Sequence, residues 1–132
     1  MRVNVADQTQ DNNQGPLTGI RVVDLTINVL GPVATQLLGD MGAEVIKVET
    51  PTGDPMRQIG PSKTGMLGPF FQTTNRNKKS IVLDLKRPEP SAALKKLVEG
   101  ADVFVHNMRT AAAGRLGIDY DSLKTINPKL VY

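Results

Sequence analysis

The 132-residue sequence contains no cysteine and only one histidine, His106. Without cysteine the chain has no disulfide, no thiolate metal site and no cysteine nucleophile. A single histidine also leaves too few nitrogen ligands for a typical zinc site. We therefore expect neither a bound metal nor thiol chemistry in this protein.

Aromatic residues make up only 4% of the sequence, which leaves few stacking surfaces for single-stranded nucleic acid. The net charge of +3 is a small basic excess that suits an anionic small molecule and does not require nucleic acid. The start of the chain has no apolar signal segment, and no run of eighteen apolar residues occurs anywhere. We predict a soluble, cytoplasmic protein with neither nucleic acid nor a membrane as its partner.

Short apolar runs rich in β-branched residues alternate with helical patterns after residue 16. Strands are predicted at 19–25, 44–49, 79–85 and 102–107, and a fifth strand begins at 129. Helices are predicted over 31–41, 88–99, 110–116 and 119–126. In the first helix Val33, Leu37, Leu38 and Met41 fall on one face, and in the second Leu94, Leu97 and Val98 do the same.

Nearly every predicted strand is apolar on both faces, which is typical of a parallel sheet covered by helices. The fold class is therefore predicted as α/β, with an open, Rossmann-like parallel sheet over residues 16–132. Residues 1–15 are strongly polar, and we predict a disordered tail there. The fifth strand has nothing after it to cover it, so the domain is expected to be truncated at its C-terminus.

Residues 51–69 are rich in glycine and proline, and we predict one long loop without a regular element. A loop of this length is either a simple connection or a gate over a substrate. The sequence alone leaves both interpretations open.

Ligands of open α/β sheets bind beyond the carboxyl ends of the strands, which here means residues 26–30, 50–51, 86–87 and 107–109. Neither G-x-x-x-x-G-K-[ST] nor G-x-G-x-x-G occurs in the sequence, so an ordinary dinucleotide fold is disfavoured. The stretch NRNKKSIVLDLKRPE (75–89) instead places basic residues at both ends of a predicted strand. These are Arg76, Lys78, Lys79, Lys86 and Arg87.

Four stretches carry a specific resemblance: GIRVVDLTINVLGPVATQLLGDMGAEVIKVE (19–49), the basic stretch 75–89, ADVFVHNMR (101–109) and RLGIDYDSLKTINPKLVY (115–132). In order and spacing they resemble the class III CoA-transferases, the CaiB/BaiF family that includes formyl-CoA and carnitine CoA-transferases. The resemblance extends from residue 17 to the last residue. It implies the N-terminal part of the large domain of a two-domain enzyme, whose chains form an interlocked homodimer.

The resemblance also implies an activity. Enzymes of this family move CoA from an acyl-CoA to a free carboxylic acid through an aspartate that forms anhydride and thioester intermediates. Family members are longer than this chain, and their nucleophilic aspartate lies beyond the position of Tyr132. We therefore assign no catalytic residue here, and Asp24, Asp40, Asp84 and Asp102 are not put in its place.

The substrates implied are an acyl-CoA and a small carboxylic acid, and the site implied is one for CoA. The loop after the first strand would contact CoA through its backbone, and lysine and arginine side chains would bind the phosphates. The cations around strand 79–85 are interpreted in this way. The expected CoA-binding residues are Val29, Leu30, Thr50, Leu83, Asp84, Leu85, Lys86, Asn107, Met108, Arg109 and Arg115.

Other interpretations of these residues remain open. Lys78 and Lys79 can simply flank a strand and keep it soluble, and Lys86 and Arg87 can solvate a helix start. Arg115 can cap a helix C-terminus, and Asn107 can be an ordinary turn residue. His106 is expected to be a strand residue without a catalytic partner, and Asp24 a turn or cap group. The function could also be that of a related α-methylacyl-CoA racemase, or of a non-catalytic nucleotide-binding domain.

Overall fold

The computed structural model describes residues 15–63, 65 and 67–132, and its centre is a parallel sheet. The described strands are β1 (Arg21–Leu25), β2 (Glu44–Glu49), β3 (Lys78–Val82) and β4 (Val103–His106). They lie in the order β3-β2-β1-β4, and each neighbouring pair is parallel. The predicted open α/β sheet is confirmed. The predicted polar tail lies outside the described residues except for Gly15.

Helices connect the strands, and most begin and end where the sequence predicts. They are α1 (Leu30–Asp40), α2 (Pro69–Thr74), α3 (Pro88–Glu99), α4 (Thr110–Leu116) and α5 (Tyr120–Ile126), with a 3₁₀ helix at Pro55–Gln58. The prediction that 51–69 holds no regular element is wrong. Pro55 and Pro69 each stand in the first turn of a helix, where the missing N–H of proline costs nothing.

One face of the sheet carries the main apolar core. Leu94 and Val98 of α3 are fully buried there, as predicted, and Leu97 packs against them. The core continues through β4 and the two C-terminal helices. Its largest buried members besides these are Leu25, Leu83, Phe104, Ile118 and Leu123.

The other face of the sheet is polar over much of its area, so the expectation of apolar character on both faces is wrong. Alternate residues of a strand point to one face, and on this face β1 carries Asp24 while β2 carries Lys47 and Glu49. All three are buried. The expectation also fails for β3, an edge strand whose residues 79–82 are exposed.

Helix α1 covers this polar face, and its buried side is therefore not the one predicted. It buries Pro32, Thr35, Gln36 and Gly39, whereas Leu37 and Met41 are about half exposed. The physical reason is that buried carboxylates need hydrogen-bond donors. Thr35 meets this need, because its hydroxyl donates to Asp24 Oδ2 at 2.6 Å. Val33 is partly buried, and Leu38 packs on a small cluster around Val22 and Val45.

Residues 129–132 make only a single parallel bridge, between Val131 and Val103, where a fifth strand was predicted to begin. The Val131 N–H donates to the Asp102 carbonyl at 2.9 Å, and the Phe104 N–H donates to the Val131 carbonyl at 2.9 Å. Tyr132 stacks on Phe104 with ring centroids 5.8 Å apart. In the described part of the chain, no helix has the length and apolar character that crossing a bilayer requires.

Candidate functional site

A cationic pocket of about 660 Å³ opens at the carboxyl edge of the sheet, between the β3–α3 turn and α4. Lys86, Arg87 and Arg115 supply its positive charge, and none of the acidic residues within the described ranges lines it. Apolar side chains and one hydroxyl complete the wall; these are Leu85, Pro88, Ala112, Leu116 and Ser91. The pocket therefore combines charged donors for an anion with an apolar surface for the body of a ligand. Three of the predicted site residues, Leu85, Lys86 and Arg115, meet here.

The turn that presents Lys86 is built by the two residues before Leu85. Asp84 accepts the Lys86 N–H at Oδ1 (3.2 Å), and its carbonyl accepts the Arg87 N–H at 2.9 Å. Leu83 is buried in the core, and its N–H donates to the Glu49 carbonyl at 2.8 Å. Leu83 and Asp84 thus support this turn and do not line the pocket; their contact with CoA stays a prediction.

A second group of predicted residues meets where the strand order reverses, between β1 and β4, which is the usual ligand crevice of such sheets. Here Asn107 bonds to both backbone groups of Ile27. Its Nδ2 donates to the Ile27 carbonyl at 2.8 Å, and its Oδ1 accepts the Ile27 N–H at 3.0 Å. Asn107 thus bridges two loops, which the ordinary turn interpretation did not foresee. Val29 precedes α1, and Leu30 is 86% exposed.

The remaining predicted residues lie outside the cationic pocket. Met108 packs against the core and donates its N–H to His106 Nδ1 at 3.0 Å. Arg109 is exposed and precedes α4, where its carbonyl accepts the Ala112 N–H at 2.8 Å. Thr50 is exposed after β2. Arg115, by contrast, lines the pocket and also lies in the last turn of α4, so it agrees both with a contact to the ligand and with a helix cap.

His106 is the last residue of β4, in agreement with the expectation of a strand residue, and it has two hydrogen-bond partners that the sequence did not reveal. Because Nδ1 accepts the Met108 N–H, the neutral ring carries its proton on Nε2 and donates to the Tyr132 hydroxyl at 2.6 Å. Tyr132 in turn donates to the Ile118 carbonyl at 3.2 Å. Burial lowers the pKa of His106, which favours this neutral form. These bonds hold the start of the 107–109 loop.

The interpretation of the basic stretch as a ring of cations around one ligand is wrong for three of its five members. Arg76, Lys78 and Lys79 lie at the amino end of β3, on the edge opposite to the pocket. Each pairs with a carboxylate of the protein: Arg76 with Asp40 at 2.6 Å, Lys78 with Asp24 at 3.0 Å and Lys79 with Glu44 at 2.7 Å. Lys86 and Arg87 are the members that line the pocket, and Arg87 also lies 3.9 Å from the carboxylate of Glu89 in an exposed pair.

The carboxylate of Asp24, which is buried beneath α1, accepts four hydrogen bonds. Besides Lys78 and Thr35, it accepts both the Thr26 N–H at 2.8 Å and the Thr26 hydroxyl at 2.5 Å. The expectation of a turn group is confirmed, with a buried ion pair added. Burial lowers the pKa of Lys78, an effect that the charge of Asp24 opposes.

A buried ionic group after β2 was missed by the sequence analysis. Lys47 Nζ lies 3.0 Å from Asp54 Oδ2, and both side chains are at most 1% exposed. Next to this pair, Arg57 binds both carboxylate oxygens of Glu49 at 2.7 Å and stacks over the Phe71 ring at 3.7 Å. The signal was present in the sequence: charged residues interrupt EVIKVE, a strand that was predicted to be buried.

Burial alone would raise the pKa of Glu49, but hydrogen bonds outweigh it. The carboxylate accepts bonds from Arg57, from the Ser80 hydroxyl at 2.7 Å and from the Asp54 N–H at 3.0 Å. Together with the charge of Arg57 they lower the pKa of Glu49 to about 2. The loop after β2 is therefore fastened to the sheet over residues 54–57.

The strand order and the position of the pocket define the class of protein: an open, doubly wound α/β domain with its candidate ligand site at the carboxyl edge. Residues 17–132 match the sequence model of CoA-transferase family III, and the chain belongs to that family.

Similar proteins support this assignment. The succinate–glutarate CoA-transferase of Agrobacterium fabrum is 46% identical over 128 residues, which cover 92% of this chain and 32% of that protein. The human succinyl-CoA:glutarate CoA-transferase is 41% identical, covering 95% of this chain and 29% of its own length. A crystal structure of a CaiB/BaiF family protein from Brucella suis superposes with a TM-score of 0.85 at 40% identity, over 89% of this chain and 32% of that one. The chain thus spans about a third of the length of these relatives.

Proposed function

We propose that this chain forms the CoA-binding part of a CoA-transferase that moves CoA from an acyl-CoA to a free carboxylic acid. The observation that carries the proposal is the cationic pocket of Lys86, Arg87 and Arg115 at the carboxyl edge, in a chain of CoA-transferase family III. The two relatives named above are both CoA-transferases, which favours transfer over racemisation.

The chemistry of the pocket matches one end of CoA. The 3′-phosphate and the diphosphate are clustered anions, and charge-assisted hydrogen bonds from lysine and arginine suit them. Leu85, Pro88 and Leu116 offer an apolar surface to the adenine ring. We therefore assign the nucleotide end of CoA to this pocket, with Lys86 and Arg115 as its main phosphate-binding residues.

The rest of CoA is assigned to the crevice between β1 and β4. The backbone of Val29 and Leu30 borders this crevice on one side, and residues 107–109 border it on the other. Leu83 and Asp84 contribute through the turn that carries Lys86, and Thr50 lies after the neighbouring strand. In this arrangement the bound CoA extends from the pocket to the point where the strand order reverses.

Covalent transfer needs a carboxylate that can attack the acyl group. Asp24 and Asp54 are buried and paired with lysines, so neither can take that role. We propose that an aspartate outside these 132 residues is the nucleophile, and that the chain alone transfers no CoA. The complete enzyme is further proposed to be an interlocked cytoplasmic homodimer that acts on an acyl-CoA and a small carboxylic acid.

The phosphate assignment is tested by calorimetric titration of the chain with CoA. Replacing Lys86 or Arg115 by alanine is expected to raise the dissociation constant roughly ten- to a hundredfold, since a hydrogen bond to a charged group is worth about 1.5–3 kcal/mol. Lys95→Ala is the matched control, because Lys95 is an exposed residue of α3 that does not line the pocket. Unchanged affinity in both pocket variants would overturn the assignment.

Dephospho-CoA, which lacks the 3′-phosphate, shows which phosphate each cation holds. A variant that has lost its contact to the 3′-phosphate should discriminate less between CoA and dephospho-CoA than the parent chain does. A variant that has lost a contact to the diphosphate should weaken both ligands equally.

A further inference from the structure

Three consecutive residues of the loop after β1, namely 26–28, form backbone hydrogen bonds to side chains from other loops and strands. The Thr26 carbonyl accepts a hydrogen bond from Lys47 Nζ at 2.8 Å. Both backbone groups of Ile27 bond to the Asn107 amide, and the Asn28 N–H donates to Asp54 Oδ1 at 3.3 Å. The three clamping side chains come from β2, from the loop after β2 and from the loop after β4.

We propose that Asn107 and the buried Lys47–Asp54 pair are positioning residues, which fix residues 26–28 in the shape that CoA binding requires. In this view Asn107 acts on the coenzyme through Ile27 and not through a contact of its own. The inference rests on the proposed function, because it assumes that the neighbouring Val29 and Leu30 face CoA.

The backbone of this loop needs such a clamp. Asn28 has a φ of 69°, in the left-handed region, which asparagine adopts more readily than most residues other than glycine but which is still uncommon for a residue with a side chain. The loop also closes tightly on α1: a Cβ added to Gly31 would lie 2.6 Å from Thr26 Cβ. An unfavourable backbone conformation persists only where the surroundings determine it, and here three side chains do so.

The Lys47–Asp54 pair ties this loop to the next one. Lys47 bonds to Thr26 and to Asp54, and Asp54 bonds to both Asn28 and the Met56 N–H, the latter at 3.0 Å. Both charges are buried, so neither can leave the pair without becoming an uncompensated charge. The loops after β1 and β2 are therefore expected to hold their shape together.

The hydrogen bonds of the Asn107 side chain argue against a direct contact between this residue and the ligand. Its amide donates to and accepts from the same residue, Ile27, at 2.8 and 3.0 Å. Turning the amide toward a ligand would break both bonds at once and release the loop. A contact role and a clamping role therefore make different predictions for the loop in the absence of CoA.

The experiment compares the chain with Asn107→Ala and with the double variant Lys47→Met/Asp54→Asn. The double change removes both charges together and keeps an acceptor for Asn28. Amide hydrogen exchange of Ile27 and Asn28 is measured by NMR without CoA, and the dissociation constant for CoA is measured by calorimetry. For Asn107→Ala we expect roughly tenfold faster exchange at Asn28, whose N–H bonds to Asp54 and not to Asn107, and a roughly tenfold larger dissociation constant. The double variant should shift both quantities in the same direction.

Asn127→Ala is the matched control. The Asn127 amide also donates to two backbone carbonyls, those of Val98 and Ala101 at 3.0 and 2.7 Å, but it lies away from the loop after β1. This control should lower the unfolding midpoint while leaving exchange at Asn28 and the affinity for CoA unchanged. A merely structural role of Asn107 would make the two alanine variants behave alike.

The outcomes separate the inference from the proposed function. If the parent chain binds no CoA, the proposed function is overturned. If the parent binds CoA and Asn107→Ala weakens binding without faster exchange at Asn28, Asn107 contacts the ligand and the inference alone is overturned. Unchanged affinity in Asn107→Ala and the double variant would overturn it as well.

Discussion

Replacing Glu49 by glutamine is the most informative single change for the stability of this domain. The glutamine has the same shape, but it loses the charge and turns an N–H₂ group toward donors. The carboxylate of Glu49 accepts bonds from Arg57, Ser80 and the Asp54 N–H, and its side chain is only 2% exposed. The variant therefore leaves a buried donor network without one of its acceptors.

The size of the expected loss in folding free energy follows from the pKa of Glu49, which falls from 4.5 to about 2 in the folded chain. Such a depression is worth up to roughly 3 kcal/mol of folding free energy at neutral pH. Because the folded pKa is the lower one, this stability is fully present above pH 4.5 and is lost as the pH falls toward 2. We expect Glu49→Gln to cost roughly 3 kcal/mol at pH 7 and far less near pH 2.

The assay is urea unfolding of both chains at several pH values between 7 and 2. Glu99→Gln is the matched control, because it makes the same chemical change at an exposed position and should alter stability by less than about 0.5 kcal/mol. An equal stability of the Glu49→Gln variant and the parent at pH 7 would refute the reasoning. A stability difference that stays constant down to pH 2 would refute it too, since it would show that the charge of Glu49 is not involved.

Two further predictions concern His106 and catalysis. NMR titration of His106 should give a pKa below its ordinary value of 6.5, and the Met108 amide shift should titrate with it, since protonation of Nδ1 removes the acceptor. Stability from this group is then present above pH 6.5 and falls as the pH drops through the folded pKa; a titration at or above 6.5 would contradict this. Incubated with an acyl-CoA and a free acid, the chain should show no turnover and no hydroxylamine-sensitive thioester. A labelled aspartate together with turnover would contradict the assignment of the nucleophile to a residue outside the chain.

The local sequence pattern was sufficient to predict the sheet, because its strands are short apolar runs and several of its helices begin near proline and end at glycine. The run around Val22 and Val23 predicted β1, and Leu94 and Val98 predicted the buried side of α3 correctly. These residues pack into apolar surroundings, so their own hydropathy already describes their environment. The same alternation of strands and helices also predicted that the candidate site lies at the carboxyl edge of the sheet.

The same reasoning failed for α1 because the surface under this helix is polar. Leu37 and Met41 have the right spacing for a buried face, yet Thr35 and Gln36 are the residues turned inward. That choice depends on Asp24 and Lys78, which are 54 residues apart in sequence and meet only in the folded sheet. Hydropathy cannot foresee a buried face whose partners are charged groups from distant strands.

The position of Glu49 finally explains how the two halves of the candidate site are joined. Its carbonyl accepts the Leu83 N–H at the exit of β3, just before the turn that presents Lys86 to the pocket. Its side chain accepts the Asp54 N–H, and Asp54 bonds to Asn28 in the loop after β1. One residue at the end of β2 therefore fastens both neighbouring loops. If CoA spans the pocket and the crevice, a substitution of Glu49 should weaken CoA binding through these two loops, although Glu49 itself does not contact CoA.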